Sequence, residues 1–205
     1  QASIATQDAQ TQYQTISTEI QKATNKARFY PALAATGTDE SVAYLQQTWE
    51  KEKSAEALEA LKKSNNYKAA APLLKAANAG DEDALAKYVG LVNRYETNMD
   101  NRSARLISAI SQAKSNNGKA NVINALSNTP TRNAFLTVGK YLDDKGVSYQ
   151  AAVAEKNILK QTQEDIEYDI VKENMTKAIN IYQAHGTADD GYAVDEIKKM
   201  LAEMQ

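Results

Sequence analysis

Apolar residues recur along the chain at steps of three and four, the spacing that lines one face of a helix. In the first such stretch Ala9, Tyr13, Ile16, Ile20, Ala23 and Ala27 share a face while Gln, Thr and Lys fill the other, which predicts an amphipathic helix over residues 9–27. Residues 28–35 form a short apolar piece in which Pro31 suits a first helical turn and Gly37 supplies the stop. Helix pairs are then predicted at 39–50 with 54–63, 67–78 with 81–95, 101–114 with 118–127, and 131–143 with 148–161. Residues 166–183 and 189–204 complete the series, the last with Val194, Ile197, Leu201 and Met204 at steps of 3, 4 and 3.

The segments between helices carry turn chemistry. Ser64-Asn65-Asn66, Asn116-Asn117-Gly118, Asn128-Thr129-Pro130 and Asp143-Asp144-Lys145-Gly146 each combine turn formers with a helix stop. Thr187 followed by Asp190 reads as a capping box with a shortened acid. One apolar anchor from each first helix, Leu45, Leu74, Ile107, Val138 and Val171, gives separations of 29, 33, 31 and 33 residues. A helix pair recurring at that period predicts an α-solenoid, in which neighbouring pairs complete one another's core. An irregular single-core helical bundle is the alternative. Within residues 131–159, Phe135, Val138 and Leu142 are expected on one buried face and Ala152, Val153 and Leu159 on the next, with Tyr149 at the rim. Gly139 and the Ala151-Ala152 pair leave room for helices to approach closely.

Composition supports the all-α expectation. Ala, Leu, Lys, Glu and Gln dominate, the residues that lose least on entering a helix, and three prolines with eight glycines leave few bounded strand signals. At 205 residues the chain can bury a substantial core without staples. The absence of cysteine excludes disulfides, thiolate zinc sites and a thiol nucleophile. Lys and Arg number 24 against 26 Asp and Glu, so the net charge of -2 exerts no overall pull on a phosphate backbone, and no nucleic-acid partner is expected. No run approaches the roughly 20 apolar residues that span a bilayer. The chain opens on Gln1 rather than Met, which points either to a removed secretory signal or to a trimmed end; Ala2, Ser3 and Ala5 suit a cleavage region, and the expected location is periplasmic or secreted.

The groups that could carry chemistry each have a structural explanation. His185, the only histidine, sits in Ala184-His185-Gly186-Thr187 with no nucleophile nearby in sequence and is expected to be a solvated loop residue. The acidic run Glu164-Asp165-Ile166-Glu167-Tyr168-Asp169 could pair carboxylates, but acids also suit a helix start, and it is expected to open the helix from Ile166. Asp81-Glu82-Asp83 and Asp189-Asp190-Gly191 lack the ligand spacing of a calcium loop. Trp49 is expected to pack between helices, with surface recognition as the alternative. Arg94, Arg102 and Arg105 form a mild basic cluster on a solvated face, and no glycine-rich phosphate loop exists. No catalytic, cofactor-binding or metal-ligating residue is therefore expected, and no cofactor.

Two stretches, AAAPLLKAANAGDEDALAKYVGLV over 69–92 and NAFLTVGKYLDDKGVSYQAAVAEKNIL over 133–159, resemble HEAT-like repeats: an apolar first helix, an acidic turn, then a second helix with Ala at its crowded contacts. The family often places Val-Arg after the turn, where this chain has Ala84-Leu85 and Tyr149-Gln150. The resemblance implies a single domain over 1–205: a right-handed, armadillo-like superhelix of about five antiparallel helix pairs with an N-terminal capping helix. It also implies a non-catalytic scaffold for protein or inter-domain interaction. The run from SARLISAISQAK through VINALSNTPTRNAFLTVGKYLDDK to EIKKMLAEM is similar to the helical region beside a 3-keto-disaccharide hydrolase domain in secreted Bacteroidota proteins. That likeness implies an accessory helical domain of a larger carbohydrate-active protein continuing past Gln205, with glycan as a further partner.

Overall fold

The computed structural model describes residues 8–204, so Ala2, Ser3, Ala5 and both chain ends lie outside the described residues. Among those residues the protein is all-helical, with α-helices, short 3-10 turns and no strand. Its contacts divide it into two compact units, the division falling between Leu91 and Val92.

The first unit contains α1 (Ala9–Lys22), α2 (Tyr30–Thr36), α3 (Asp39–Glu52), α4 (Ala55–Leu61) and α5 (Ala70–Asn78). Helix starts follow the side chains that can take an orphan backbone N–H. Asp8 caps α1 through the Thr11 amide at 3.0 Å, Thr38 caps α3 through Ser41 and Ser54 caps α4 through Ala57, both at 3.2 Å. Helix α1 ends at Lys22, five residues short of expectation, because Ala23 turns extended ahead of Thr24 and Asn25, which favour non-helical backbone. Gly37 closes α2 at φ 67°, a left-handed conformation a side chain would strain. Asn66 then ties the Ser64-Asn65-Asn66 turn to that stop, donating to the Gly37 carbonyl at 3.0 Å and to Asp39 at 2.8 Å. Helix α2 packs against α1, α3 and α4, and Ile16, Ile20, Leu33, Val42, Leu45, Leu61 and Leu73 are buried in this unit. Each fully buried side chain of this kind contributes about 1.5–3 kcal/mol of transfer free energy. The anchor taken as Leu74 is replaced by its neighbour: Leu73 is fully enclosed and Leu74 only half-buried.

Helix α6 (Glu82–Tyr95) follows, its start capped by Asp81, which accepts from the Ala84 amide at 2.9 Å. The second unit contains α7 (Met99–Ile110), α8 (Asn116–Leu126), α9 (Arg132–Val138), α10 (Ser148–Gln161), α11 (Tyr168–His185) and α12 (Ala188–Glu203). Each helix packs on the next, and the 3-10 turn Gly139–Tyr141 between α9 and α10 packs on both; α7 also touches α9, α8 touches α10, and α10 touches α12. Several expectations are corrected here. Asn116-Asn117-Gly118 is the first turn of α8 rather than a loop, because Ser115 caps the helix through the Gly118 amide at 2.9 Å. The second-unit anchor is Leu106, fully buried, rather than Ile107. On α9 and its following turn Phe135, Val138 and Leu142 are buried as expected. On α10 the enclosed face is Ala151, Ala152, Ala154, Glu155 and Ile158, while Val153 and Leu159 are half-buried.

Candidate functional site

The polar groups of the second unit gather at three places on α10, α11 and α12. The first is the turn joining α11 to α12. Gly186 closes α11 at φ 78° and folds the chain back, so that His185 comes over the start of α12. Thr187 caps α12 by accepting from the Asp190 amide, and Asp190 reciprocates through the Thr187 amide at 2.8 Å, completing the capping box. The same Asp190 Oδ2 accepts from Thr187 Oγ1 at 2.7 Å and contacts His185 Nδ1 at 2.7 Å; Oδ1 accepts from the Tyr149 hydroxyl at 2.8 Å. Burial alone would raise the Asp190 carboxyl, but the hydrogen bonds from Thr187, His185 and Tyr149 outweigh it and hold the group well below the usual carboxylate range. An ionised carboxylate only accepts, so the proton lies on His185 Nδ1.

His185 is thus corrected from a free loop side chain to the last residue of α11, bonded to a buried acid and stacked on Tyr149 with ring centroids 4.0 Å apart. Its side chain remains 47% exposed. Tyr182 meets Tyr149 edge-on at 5.7 Å, and burial pushes its hydroxyl above the ordinary range. The hydrogen bond to Asp190, and then burial, raise the Tyr149 hydroxyl as well. The arrangement orients an imidazole as a catalytic dyad would, and it also joins three helices at one corner. Every bond named here is spent on that corner.

The second place is the outer face of α10 and α12. Lys156 and Lys160 bracket Glu196 at 2.7 and 2.6 Å, and these two hydrogen bonds lower the Glu196 carboxyl to about 2 against the smaller opposing effect of burial. Beside them lies an open groove of about 460 Å³ floored by Leu159, Ile166, Met200 and Met204 and rimmed by charged side chains including Lys199 and Glu203. Tyr192 of α12, with three-quarters of its surface exposed, lines a separate hollow with Lys156 and Asp189, and Glu196 and Lys199 border both that hollow and the groove. The third place is internal: Glu155 is fully enclosed, accepting at Oε2 from Asn174 Nδ2 of α11 at 2.9 Å, while Oε1 is left without a hydrogen-bond partner. Nothing in the expected apolar face of α10 pointed to it, although its place between Ala151 and Ile158 at steps of four and three marks a polar residue in an apolar register.

The remaining candidates are scattered and structurally occupied. The acidic run does not open its helix at Ile166, since α11 starts at Tyr168; instead Glu164 accepts from the Arg132 amide at 2.7 Å and Glu167 takes the Arg132 guanidinium at 2.7 and 2.9 Å. These bonds tie the loop to the start of α9. Asp81 pairs with Lys62 at 2.7 Å. Arg102 donates to the Glu96 carbonyl at 2.8 Å, Arg105 pairs with the Glu96 carboxylate at 3.3 Å, and Arg94 lies over the Tyr95 ring, so the three arginines serve a local network. Trp49 is half-buried on α3, with Lys75 Nζ 6.0 Å from its ring centre. Among the described residues no group of three or more His, Cys, Asp or Glu side chains gathers as metal ligands would, and no helix is long and apolar enough to cross a membrane.

Comparison with models of protein families, with curated proteins and with solved structures gives no match. The functional assignment rests on the geometry alone.

Proposed function

We propose that this protein is a non-catalytic, HEAT-like helical scaffold that binds another protein or a neighbouring domain. The observation that carries the proposal is Tyr192: a large amphipathic side chain, three-quarters exposed, on a helix fixed by its cap and by two lysine bridges, in a hollow it shares with Lys156, Asp189, Glu196 and Lys199. Aromatic side chains of this kind anchor partners because they present large contact area at small entropic cost. The packing of each second-unit helix on its sequence neighbours, with α7 on α9, α8 on α10 and α10 on α12, supports a solenoid pairing. A second reading is favoured by the same ring: an exposed tyrosine face stacks on sugars, as an accessory domain of a carbohydrate-active protein would require.

A photo-crosslinking amino acid placed at position 192 of the full chain in its source cells tests the proposal, with the exposed Asp169 position on α11 as control. A protein crosslinked at 192 and not at 169 is the expected result. Loss of that crosslink to a soluble glycan competitor would move the assignment to sugar contact. A clean surface at 192, or turnover of a substrate by the purified chain alone, would overturn it.

A further inference from the structure

Glu155 has no part in the surface just described, and its setting is unusual for a carboxyl group. It lies on the enclosed face of α10, packed where α8, α9 with its following turn, and α11 converge on that helix. Only uncharged groups act on it. Asn174 donates to Oε2 from α11, and the Gly139 amide bears on the carboxyl from the turn after α9. Gly139 is itself part of the arrangement: a Cβ there would fall 2.3 Å from Asn174 Nδ2, the atom that donates to Glu155, so a side chain at 139 would displace that donor.

The cations of the surrounding elements lie elsewhere: Lys140 of the turn after α9 and Lys172 of α11 are exposed, and the others are held by surface carboxylates. Lys119 of α8 pairs with Asp144, Arg132 of α9 with Glu167, and Lys177 of α11 with Asp143 and Glu173. On α10 and α12, Lys156 and Lys160 hold Glu196. An ionised Glu155 would therefore sit in the core with one amide donor on one oxygen, no hydrogen-bond partner on the other and no counter-charge among these groups. A buried charge so poorly compensated is strongly unfavourable, and the usual escape is to keep the proton.

We propose that Glu155 makes the packing of α10 on its neighbours proton-dependent: the helices close on the neutral carboxyl, and a rise in pH that ionises it loosens them. Burial pushes this carboxyl well above its ordinary range, the Asn174 hydrogen bond and the nearby Gly139 amide dipole opposing the shift only in part. The folded state thus holds a proton that the unfolded chain releases at an ordinary glutamate pKa. The contribution is present in full below about pH 4.5 and is lost as the pH rises toward the folded value. The inference is independent of whether the surface at Tyr192 binds a partner.

The test compares denaturant unfolding of the full-length wild type and Glu155→Gln from about pH 4 to about pH 9. Glutamine keeps the shape and an acceptor for Asn174 but cannot ionise. The two curves are expected to run parallel below about pH 4.5; above it, each pH unit short of the folded value shifts the unfolding equilibrium by about tenfold in favour of the variant. Curves parallel over the whole range would overturn the proposal. Should the variant fail to fold, the carboxyl-carbon NMR shift of Glu155 in the wild-type chain decides by itself. A protonated shift persisting at neutral pH upholds the device, and an ionised one removes it.

Discussion

Val138 has no exposed surface, and it sits at the end of α9 on the same buried face as Phe135. A carboxylate in that position would be an unpaired charge in the core. Val138→Asp is expected to cost about 4 kcal/mol, read as a large fall in melting temperature. A melting temperature within about a degree of wild type would show that the side chain escapes to water. The apolar character of this face was legible in the sequence, because Phe135 and Val138 fall three residues apart and Leu142 four further on. The choice between adjacent candidates was not. Leu73 over Leu74 and Leu106 over Ile107 are settled by about 100° of rotation around the helix, and both members of each pair are apolar. Periodicity alone cannot rank them when each lies near the edge of the stripe.

At the scale of the element, caps decide where helices start. The Thr187 and Asp190 box on α12 was legible because a hydroxyl residue followed three positions later by an acid satisfies two orphan donors reciprocally. Thr187→Ala removes the hydroxyl that accepts from the Asp190 amide and donates to its carboxylate. A loss of about 1–2 kcal/mol is expected by denaturant unfolding, with faster amide exchange confined to the first turn of α12. Exchange accelerated equally throughout the unit would instead make Thr187 a general packing residue. What the local pattern did not show is that Asp190 also receives Tyr149 from α10 and His185 across the turn. The His185 contact depends on the left-handed Gly186, and the Tyr149 contact spans 41 positions.

For the whole molecule, the carboxylates of the second unit set its response to acid. Glu196 is lowered to about 2 by Lys156 and Lys160, and Asp190 is lowered by its hydrogen bonds. A depressed folded-state pKa means that the unfolded state takes up protons first. The stability these groups contribute is present above the unfolded value of about 4.5 or below, and drains away as the pH falls toward about 2. Replacing Lys156 and Lys160 together by methionine should flatten that acid decline, as followed by circular dichroism of the full chain from about pH 6 to about pH 2. An unchanged acid midpoint would assign the decline to other groups. With Glu155 acting in the opposite direction, the second unit is expected to be most stable between the two limbs.

The sequence by itself determined the helical class, the approximate place of each helix and the identity of several caps. These follow from interactions reaching no more than four residues along the chain, so local spacing carries them. Ser148–Gln161 was placed to the residue, and Gly37 and the Thr187 box were recognised from their neighbours. Tertiary structure decided which of two adjacent apolar residues is enclosed, that Glu155 lies in the core beside Asn174, and that His185 shares an acid with Tyr149. Those outcomes depend on side chains 5 to 41 positions apart meeting in space. The identity of the neighbour, rather than the residue's own propensity, fixes whether a carboxyl there is a charge, a cap or a buried acid.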